Sequence, residues 1–359
     1  MKIGIVLHPY SEKNPAGLGR FILELSRSLV DASLKDEFIL YVKGDPTAPA
    51  FVDGKRVQKV SLGSSFFWLE RLRQAPRSDV YIFNTPVMPL LWRPDRSIVV
   101  ALDFAYLLFP AKSVKEFFSR RVLRFYHALA LRRSTAVISI SEATKLDTVK
   151  LFGTETEKIR VVYPGFNSIG KLTPQNISVP ENFFLFVGVI KERKNVFTIV
   201  KAYELFQKNN PGIDLVIAGK KTGTYFEEIS AYVRERGLEN KIHFIGFISD
   251  NELSFLYQKA QALVFPSIVE GFGFPILEAM DVGLPVITSK SSSLGEIAAD
   301  AALTVSPKSK EEIAEAMQQM WNNSQVRATC IDRGRARATL FTWSGCAGKM
   351  LAVVRELHH

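Results

Sequence analysis

The sequence predicts an α/β chain built as two doubly wound domains, each a mostly parallel sheet wrapped by helices. Three observations predict it. A chain of 359 residues exceeds the usual size of a single core. Short apolar runs alternate with segments of helical period, once from the N-terminus and again from Phe183, as in a parallel sheet with crossover helices. Between the two series lies Ser168 to Pro180, a polar stretch with two prolines that reads as a linker.

The first series opens with a strand, Lys2 to Leu7. A loop follows, Asn14-Pro15-Ala16-Gly17-Leu18-Gly19, and then a helix over Arg20 to Val30 with Phe21, Leu25 and Leu29 on one face. Strand, glycine loop and helix in this order let backbone approach a phosphate. The third glycine of the dinucleotide fingerprint is missing, so a nicotinamide cofactor is not expected. Further strands are expected at Phe38–Val42, Val80–Phe83, Ile98–Leu102 and Ala136–Ile140, and Ser141 is placed to cap the next helix.

Composition narrows the partners. Residues 1–175 carry 26 Lys and Arg against 16 Asp and Glu, and that surplus is the chain's whole net charge of +10. A one-sided positive field points to an anionic partner. Two stretches expected as helices are basic and aromatic together: Phe66 to Arg73, and Lys112 to Arg133. Such faces can lie in an anionic membrane interface; the alternative is aromatics turned inward under a solvated basic face. No nucleic-acid-binding motif accompanies the charge, so a nucleic-acid partner is not expected. Cys330 and Cys346 make neither a disulfide framework nor a zinc site. No signal peptide or spanning segment is read, which points to a cytoplasmic protein.

In the second series, strand Phe183–Val187 ends at Gly188. A cationic loop, Lys191-Glu192-Arg193-Lys194-Asn195, then precedes a helix over Val196–Gln207. Arg193 and Lys194 are either a solvated pair or a planar fork and a point charge for phosphate oxygens. Strands Leu215–Lys220 and Ile242–Phe247 end near Gly219 and Gly246, at the sheet edge where open α/β folds bind ligands. Ala262 to Phe265 is a buried strand. Pro275 presets the first turn of a helix that Gly283 stops, and that helix's N-terminus is a ready anion site. Glu270 and Glu278 flank it with seven residues between them. They are either ordinary loop and first-turn acids or acceptors for the hydroxyls of a ligand that carries both sugar and phosphate. Helices over Glu311–Trp321 and Ser344–Leu357 complete the chain.

Glu270-Gly271-Phe272-Gly273-Phe274-Pro275, Glu278-Ala279-Met280 and Gly283-Leu284-Pro285-Val286-Ile287 resemble the E-x7-E signature of the retaining GT-B glycosyltransferases, and within them family 4. Gly188 to Lys194 is similar to the family's G-x-x-x-x-R-K segment, Val137 to Glu142 to its V-I-x-x-S-E, and Ser291 to Ile297 to its S-S-L-P-E-V turn, with Gly295 in place of proline. The resemblance implies two Rossmann-like domains facing a cleft: 1–168 on the acceptor side, a linker over 169–182, 183–338 for the nucleotide sugar, and 339–359 crossing back as a helix. It also implies a nucleoside-diphosphate-sugar donor, GDP- or UDP-linked with mannose favoured, and a glycan or lipid-linked acceptor. Glu270, Arg193, Lys194 and Asp103 are the expected catalytic residues. Gly17, Gly19, Gly219, Gly246, Gly271, Phe272, Gly273 and Glu278 are expected to bind the donor, Glu278 at the ribose. No cofactor and no metal are expected, the two cations standing in for an ion. Members usually have His-Asp after the strand at Ile98–Leu102; here Leu102-Asp103 stands there, so one sugar hydroxyl loses its partner, or the donor lacks that hydroxyl as a 6-deoxy sugar does, or another residue such as His8, also at a strand end, fills the gap. A sugar-nucleotide epimerase, a phosphorylase or a non-catalytic sugar-nucleotide binder would share the same cradle.

Overall fold

A computed structural model describes residues 1–10, 17–221 and 223–358 of the chain. The stretch Asn14–Ala16 of the first glycine loop lies outside these described residues. The chain divides into two compact units, Met1–Gly165 with Phe341–His359, and Phe166–Leu340.

In the first unit the elements run β1 (Lys2–Leu7), α1 (Leu18–Ala32), β2 (Glu37–Val42), β3 (Val57–Ser61), a 3-10 turn (Trp68–Arg73), β4 (Val80–Phe83), β5 (Ser97–Ala101), α2 (Ala105–Leu108), α3 (Val114–Arg133), β6 (Ala136–Ser139), α4 (Glu142–Phe152) and β7 (Ile159–Val161). Its parallel sheet has the order β3-β2-β1-β4-β5-β6-β7. The central strands are buried on both faces, which is why they read as continuous apolar runs. β3 and β7 were not visible as strands in the sequence. β3 (Val-Gln-Lys-Val-Ser) and β7 (Ile-Arg-Val) sit at the sheet's two edges, where one side needs no apolar cover. Ser141 does cap α4, its side chain accepting from the Thr144 amide.

The second unit runs β8 (Phe183–Val187), α5 (Val196–Gln207), β9 (Asp214–Ala218), α6 (Thr224–Glu235), β10 (Ile242–Gly246), α7 (Asp250–Lys259), β11 (Ala262–Phe265), α8 (Phe274–Val282), β12 (Val286–Ser289), α9 (Ser293–Ala298), β13 (Leu303–Val305), α10 (Lys310–Asn322) and α11 (Ser324–Ala338). Its parallel sheet has the order β10-β9-β8-β11-β12-β13. The last helix, α12 (Trp343–His358), returns to the first unit and packs on α1, with the Trp343 ring 6.0 Å from that of Phe21.

The first basic–aromatic stretch differs from expectation. It forms a 3-10 turn that buries Trp68, Leu69 and Leu72 and leaves Phe66 and Phe67 exposed. The second, α3, buries only His127, Ala130 and Leu131. The inward-aromatic reading is therefore overturned for most of its length.

Candidate active site

The chemistry-bearing residues of the second unit gather where β8 and β11, neighbours in the sheet, release their chains. After β8 a short 3-10 turn, Glu192–Lys194, presents the two cations, and Asn195 ends it in a left-handed conformation with φ 63°. Asparagine tolerates that backbone because its side chain can bond locally. Here its amide donates to the Pro266 and Pro307 carbonyl oxygens at 3.0 and 2.6 Å, and its own oxygen accepts from Thr198. The Ile268 amide donates to the Arg193 carbonyl at 2.8 Å. The two loops are thus sewn together through main chain.

Glu270 is buried between them. Arg193 Nη1 donates to Glu270 Oε2 at 3.0 Å and to the Val269 carbonyl at 3.1 Å, and Lys194 Nζ lies 2.5 Å from Glu270 Oε1. The ammonium also sits 4.7 Å from the centre of the Phe265 ring. Burial pushes the Glu270 carboxyl up, but Lys194 and Arg193 outweigh it and hold the group below its usual range. From behind, the Glu270 carbonyl accepts from Ser292 and Ser293 at the start of α9, and Ser293 also reaches the Phe272 carbonyl.

Three residues on, Gly273 starts α8 with φ 117°, where an added Cβ would lie 2.7 Å from Leu294. Pro275 follows in the first turn and Gly283 closes the helix, as the sequence pattern requires. Gly271 and Phe272 are buried, and the Phe272 ring packs edge-on to Phe274, so main chain is what this loop offers a ligand. Glu278 lies on α8 and accepts a 3.1 Å hydrogen bond from the buried Tyr257 hydroxyl of α7. Gly219 and Gly246 end β9 and β10, joined by a 2.7 Å bond from the Gly219 amide. A Cβ on Gly219 would fall 1.9 Å from the Gly188 carbonyl, so close backbone approach requires glycine there.

Arg193, Lys194 and Glu270 are therefore brought together in direct contact. Gly17, Gly19 and Asp103 belong to the first unit. Gly17 stands at the start of α1 with φ 37°, Gly19 lies in its first turn, and Asp103 is exposed and accepts from the Ala105 amide. Leu102 is half-buried, and its carbonyl accepts from Thr144. His8 follows β1, stacks on Trp68 at 5.6 Å, and has its pKa lowered by burial and by Lys43.

Sequence reading missed Asn195 and Tyr257. Asn195 carried a signal, an asparagine at a loop-to-helix junction; Tyr257 carried none, being one aromatic on the apolar face of α7.

Residues 15–168 match the family model described as Glycosyltransferase Family 4, and residues 171–337 the model Glycosyl transferases group 1. The O-antigen chain mannosyltransferase B of Escherichia coli is 27% identical over 290 residues, 77% of this chain and 74% of that protein. The O-antigen chain mannosyltransferase RfbU of Salmonella typhimurium is 34% identical over 191 residues, about half of either chain at 53% and 52%. Among solved structures, Anabaena Alr3699/HepE in complex with UDP and glucose aligns with a TM-score of 0.76 at 17% identity, covering 99% of this chain and 100% of that one. WaaG, a glycosyltransferase involved in lipopolysaccharide biosynthesis, aligns with a TM-score of 0.72 at 19% identity, covering 98% and 99%. The two family models span nearly the whole sequence in succession, and these neighbours share its two-sheet α/β fold: the chain belongs to the GT-B glycosyltransferases of the family 4, group 1 type.

Proposed function

We propose that this glycosyltransferase moves a hexose, with mannose favoured, from a nucleoside-diphosphate donor to a glycan or lipid-linked acceptor. The transfer retains anomeric configuration, needs no metal ion, and takes place at the cytoplasmic face of a membrane. The observation that carries the reading is the clamp of Arg193 and Lys194 on buried Glu270, three residues before the N-terminus of α8. Glycosyl transfer requires negative charge to be stabilised on a departing diphosphate. A guanidinium, an ammonium and a helix N-terminus supply that, each preorganised donor being worth about 3 kcal/mol when removed. A diphosphate brings more negative charge than one carboxylate. It would draw the cations partly off Glu270 and free that carboxylate to accept hydrogen bonds from sugar hydroxyls. Glu278, oriented by Tyr257, would take the ribose hydroxyls.

The Escherichia coli and Salmonella relatives are mannosyltransferases by name, which favours mannose, and the UDP bound in the Anabaena structure favours a nucleoside diphosphate. The Leu102 side chain offers neither donor nor acceptor, so a 6-deoxy version of the donor sugar is turned over at least as well as its hydroxylated parent. Clear preference for the parent would remove that element.

The test is a thermal-shift panel of UDP, GDP and ADP with their mannosyl and glucosyl forms, followed by transfer assays with and without EDTA and assignment of the product's anomeric configuration by NMR. One nucleotide is expected to raise Tm by mass action, and transfer is expected to survive EDTA and fall by orders of magnitude in Lys194→Ala. No shift with any nucleotide, or full activity in that variant, sinks the proposal.

A further inference from the structure

Helix α9 is six residues long, yet a side chain at each of its ends is held in a backbone conformation that favours glycine. Ser292, which precedes the helix, has φ 55° and ψ −143°, and Ala299, which follows it, has φ 48° and ψ −123°. The turn into α9 is also drawn tight: a Cβ on Gly295 would fall 2.9 Å from the Lys290 carbonyl oxygen. From the far side, Arg337 of α11 donates to the carbonyl oxygens of Ile297 and Glu296 at 2.9 and 2.6 Å. Strain of this kind persists only where the surroundings over-determine it, and it gathers at functional sites.

What over-determines Ser292 is the main chain of Glu270. The Ser292 hydroxyl donates to the Glu270 carbonyl oxygen at 2.5 Å and accepts from the Glu270 amide at 3.3 Å. Beside it, buried Ser293 shares its one proton between the carbonyl oxygens of Glu270 and Phe272, both 2.9 Å away. A trans peptide points its C=O and the following N–H in opposite directions. Anchoring these two carbonyls on α9 therefore turns the amides of Gly271 and Gly273 to the side away from α9. An anion approaching from that side meets N–H dipoles and not the negative ends of carbonyls. The cationic clamp acts elsewhere on the same residue: Arg193 reaches the Glu270 carboxylate and the Val269 carbonyl, and Lys194 the other carboxylate oxygen.

We propose that Ser292 and Ser293 are positioning residues, which hold the amides of Gly271 and Gly273 toward the diphosphate of the donor and act through main chain alone. The inference rests on the nucleotide-sugar reading and names what orients the loop that would receive the second phosphate. Isothermal titration calorimetry on the full chain compares UDP with UMP and GDP with GMP, because the ratio of diphosphate to monophosphate affinity isolates that phosphate. Ser292→Ala loses the hydroxyl and keeps the strain. Ser292→Gly loses the hydroxyl and relieves the strain, and Ser293→Ala releases the Phe272 carbonyl. Ser292→Gly is expected to melt at a higher temperature than Ser292→Ala, while the affinity ratio falls about tenfold in both and about as far in Ser293→Ala. A serine with a purely structural role would lower Tm and leave the ratio at the parent value. An unchanged ratio in any of the three variants overturns the inference. So does a ratio that falls in Ser292→Ala and returns in Ser292→Gly, since the backbone and not the hydroxyl would then set the loop. Ser292→Gly carries the test if Ser293→Ala does not fold. A parent chain that binds none of these nucleotides removes the active-site reading as well; a parent that prefers the diphosphate, with variants that keep the preference, removes this inference alone.

Discussion

Asn195 donates its side-chain amide to the carbonyl oxygen of Pro266 at 3.0 Å from a left-handed backbone, and so fixes the loop that carries the cations to the loop that carries Glu270. The same nitrogen also holds the Pro307 carbonyl, so one side chain ties three segments that meet only in the fold. Replacement separates two effects. Asn195→Ala leaves two carbonyls short of a donor and keeps a Cβ on a left-handed residue, costing about 2–4 kcal/mol. Asn195→Gly loses the same bonds but relieves the backbone, and is expected to be more stable than the alanine variant by about 1 kcal/mol. Urea unfolding checks the order; equal losses would mean the left-handed conformation carries no penalty here. Both variants weaken nucleotide affinity, since the spacing of Arg193 and Lys194 from Glu270 is no longer set.

The buried ion pair makes a second prediction. Removing Lys194 leaves Glu270 in the interior with only partly exposed Arg193 to compensate it, a loss of about 3 kcal/mol. Adding Glu270→Gln to Lys194→Ala recovers part of that loss, because the uncompensated charge is gone. Strict additivity of the two single variants in denaturant unfolding would show the residues to be uncoupled. The pH dependence has a definite sign. The folded carboxyl lies below its ordinary value, so its stabilisation is complete above that value and disappears as pH falls through the lowered one. Lys194→Ala loses the main cause of that lowering, so the stability gap between parent and variant is expected to narrow as pH falls through the parent's lowered value.

How far these features could be read from sequence depends on the range of the forces that fix them. Strands buried on both faces, such as Phe183–Val187 and Ala262–Phe265, announce themselves as uninterrupted apolar runs, and the helix at Pro275–Gly283 is bracketed by its own punctuation. The group 1 string places Glu270 beside that helix from sequence alone. Edge strands β3 and β7 escaped because half their neighbours are solvent, and their residues need no pattern. For α3 the sequence leaves open which of two ways the aromatics face, for a different reason. Its aromatics are spaced like a core face, and only the three-dimensional packing shows that another face of the helix met the sheet.

Tyr257 and Glu278 supply a third prediction. The phenol is buried and donates to a carboxylate expected at the ribose. Tyr257→Phe keeps the ring's packing and removes one hydrogen bond to a charged group, worth about 1.5 kcal/mol. If the phenol's work is to orient Glu278, KM for the nucleotide sugar rises about tenfold with kcat nearly unchanged, as for loss of uniform binding. A fall in kcat at unchanged KM would instead place the effect on the reacting centre. Glu278→Gln should lose the same tenfold, and the double variant should lose little more, because each acts through the other.

The fourth prediction concerns His127, on the inner face of α3. Its ring is enclosed by Phe104, Phe152 and Tyr106, shares a 3.0 Å hydrogen bond with the Tyr106 hydroxyl, and has no acid partner among the described residues. Burial lowers its pKa from the ordinary 6.5 to about 4, so the folded chain carries it neutral. The unfolded chain protonates first as pH falls, so it binds more protons than the folded one between these two values. Stability is therefore retained above about 6.5 and lost progressively down to about 4, by up to about 3 kcal/mol if the full shift is expressed. Carboxylates titrate over part of the same range, so the parent curve by itself does not isolate the ring. The difference between parent and His127→Gln does: it should shrink steadily from pH 7 to pH 4, because only the parent has this group to protonate. A difference independent of pH would show that the imidazole is already charged, or already exposed, in the folded chain.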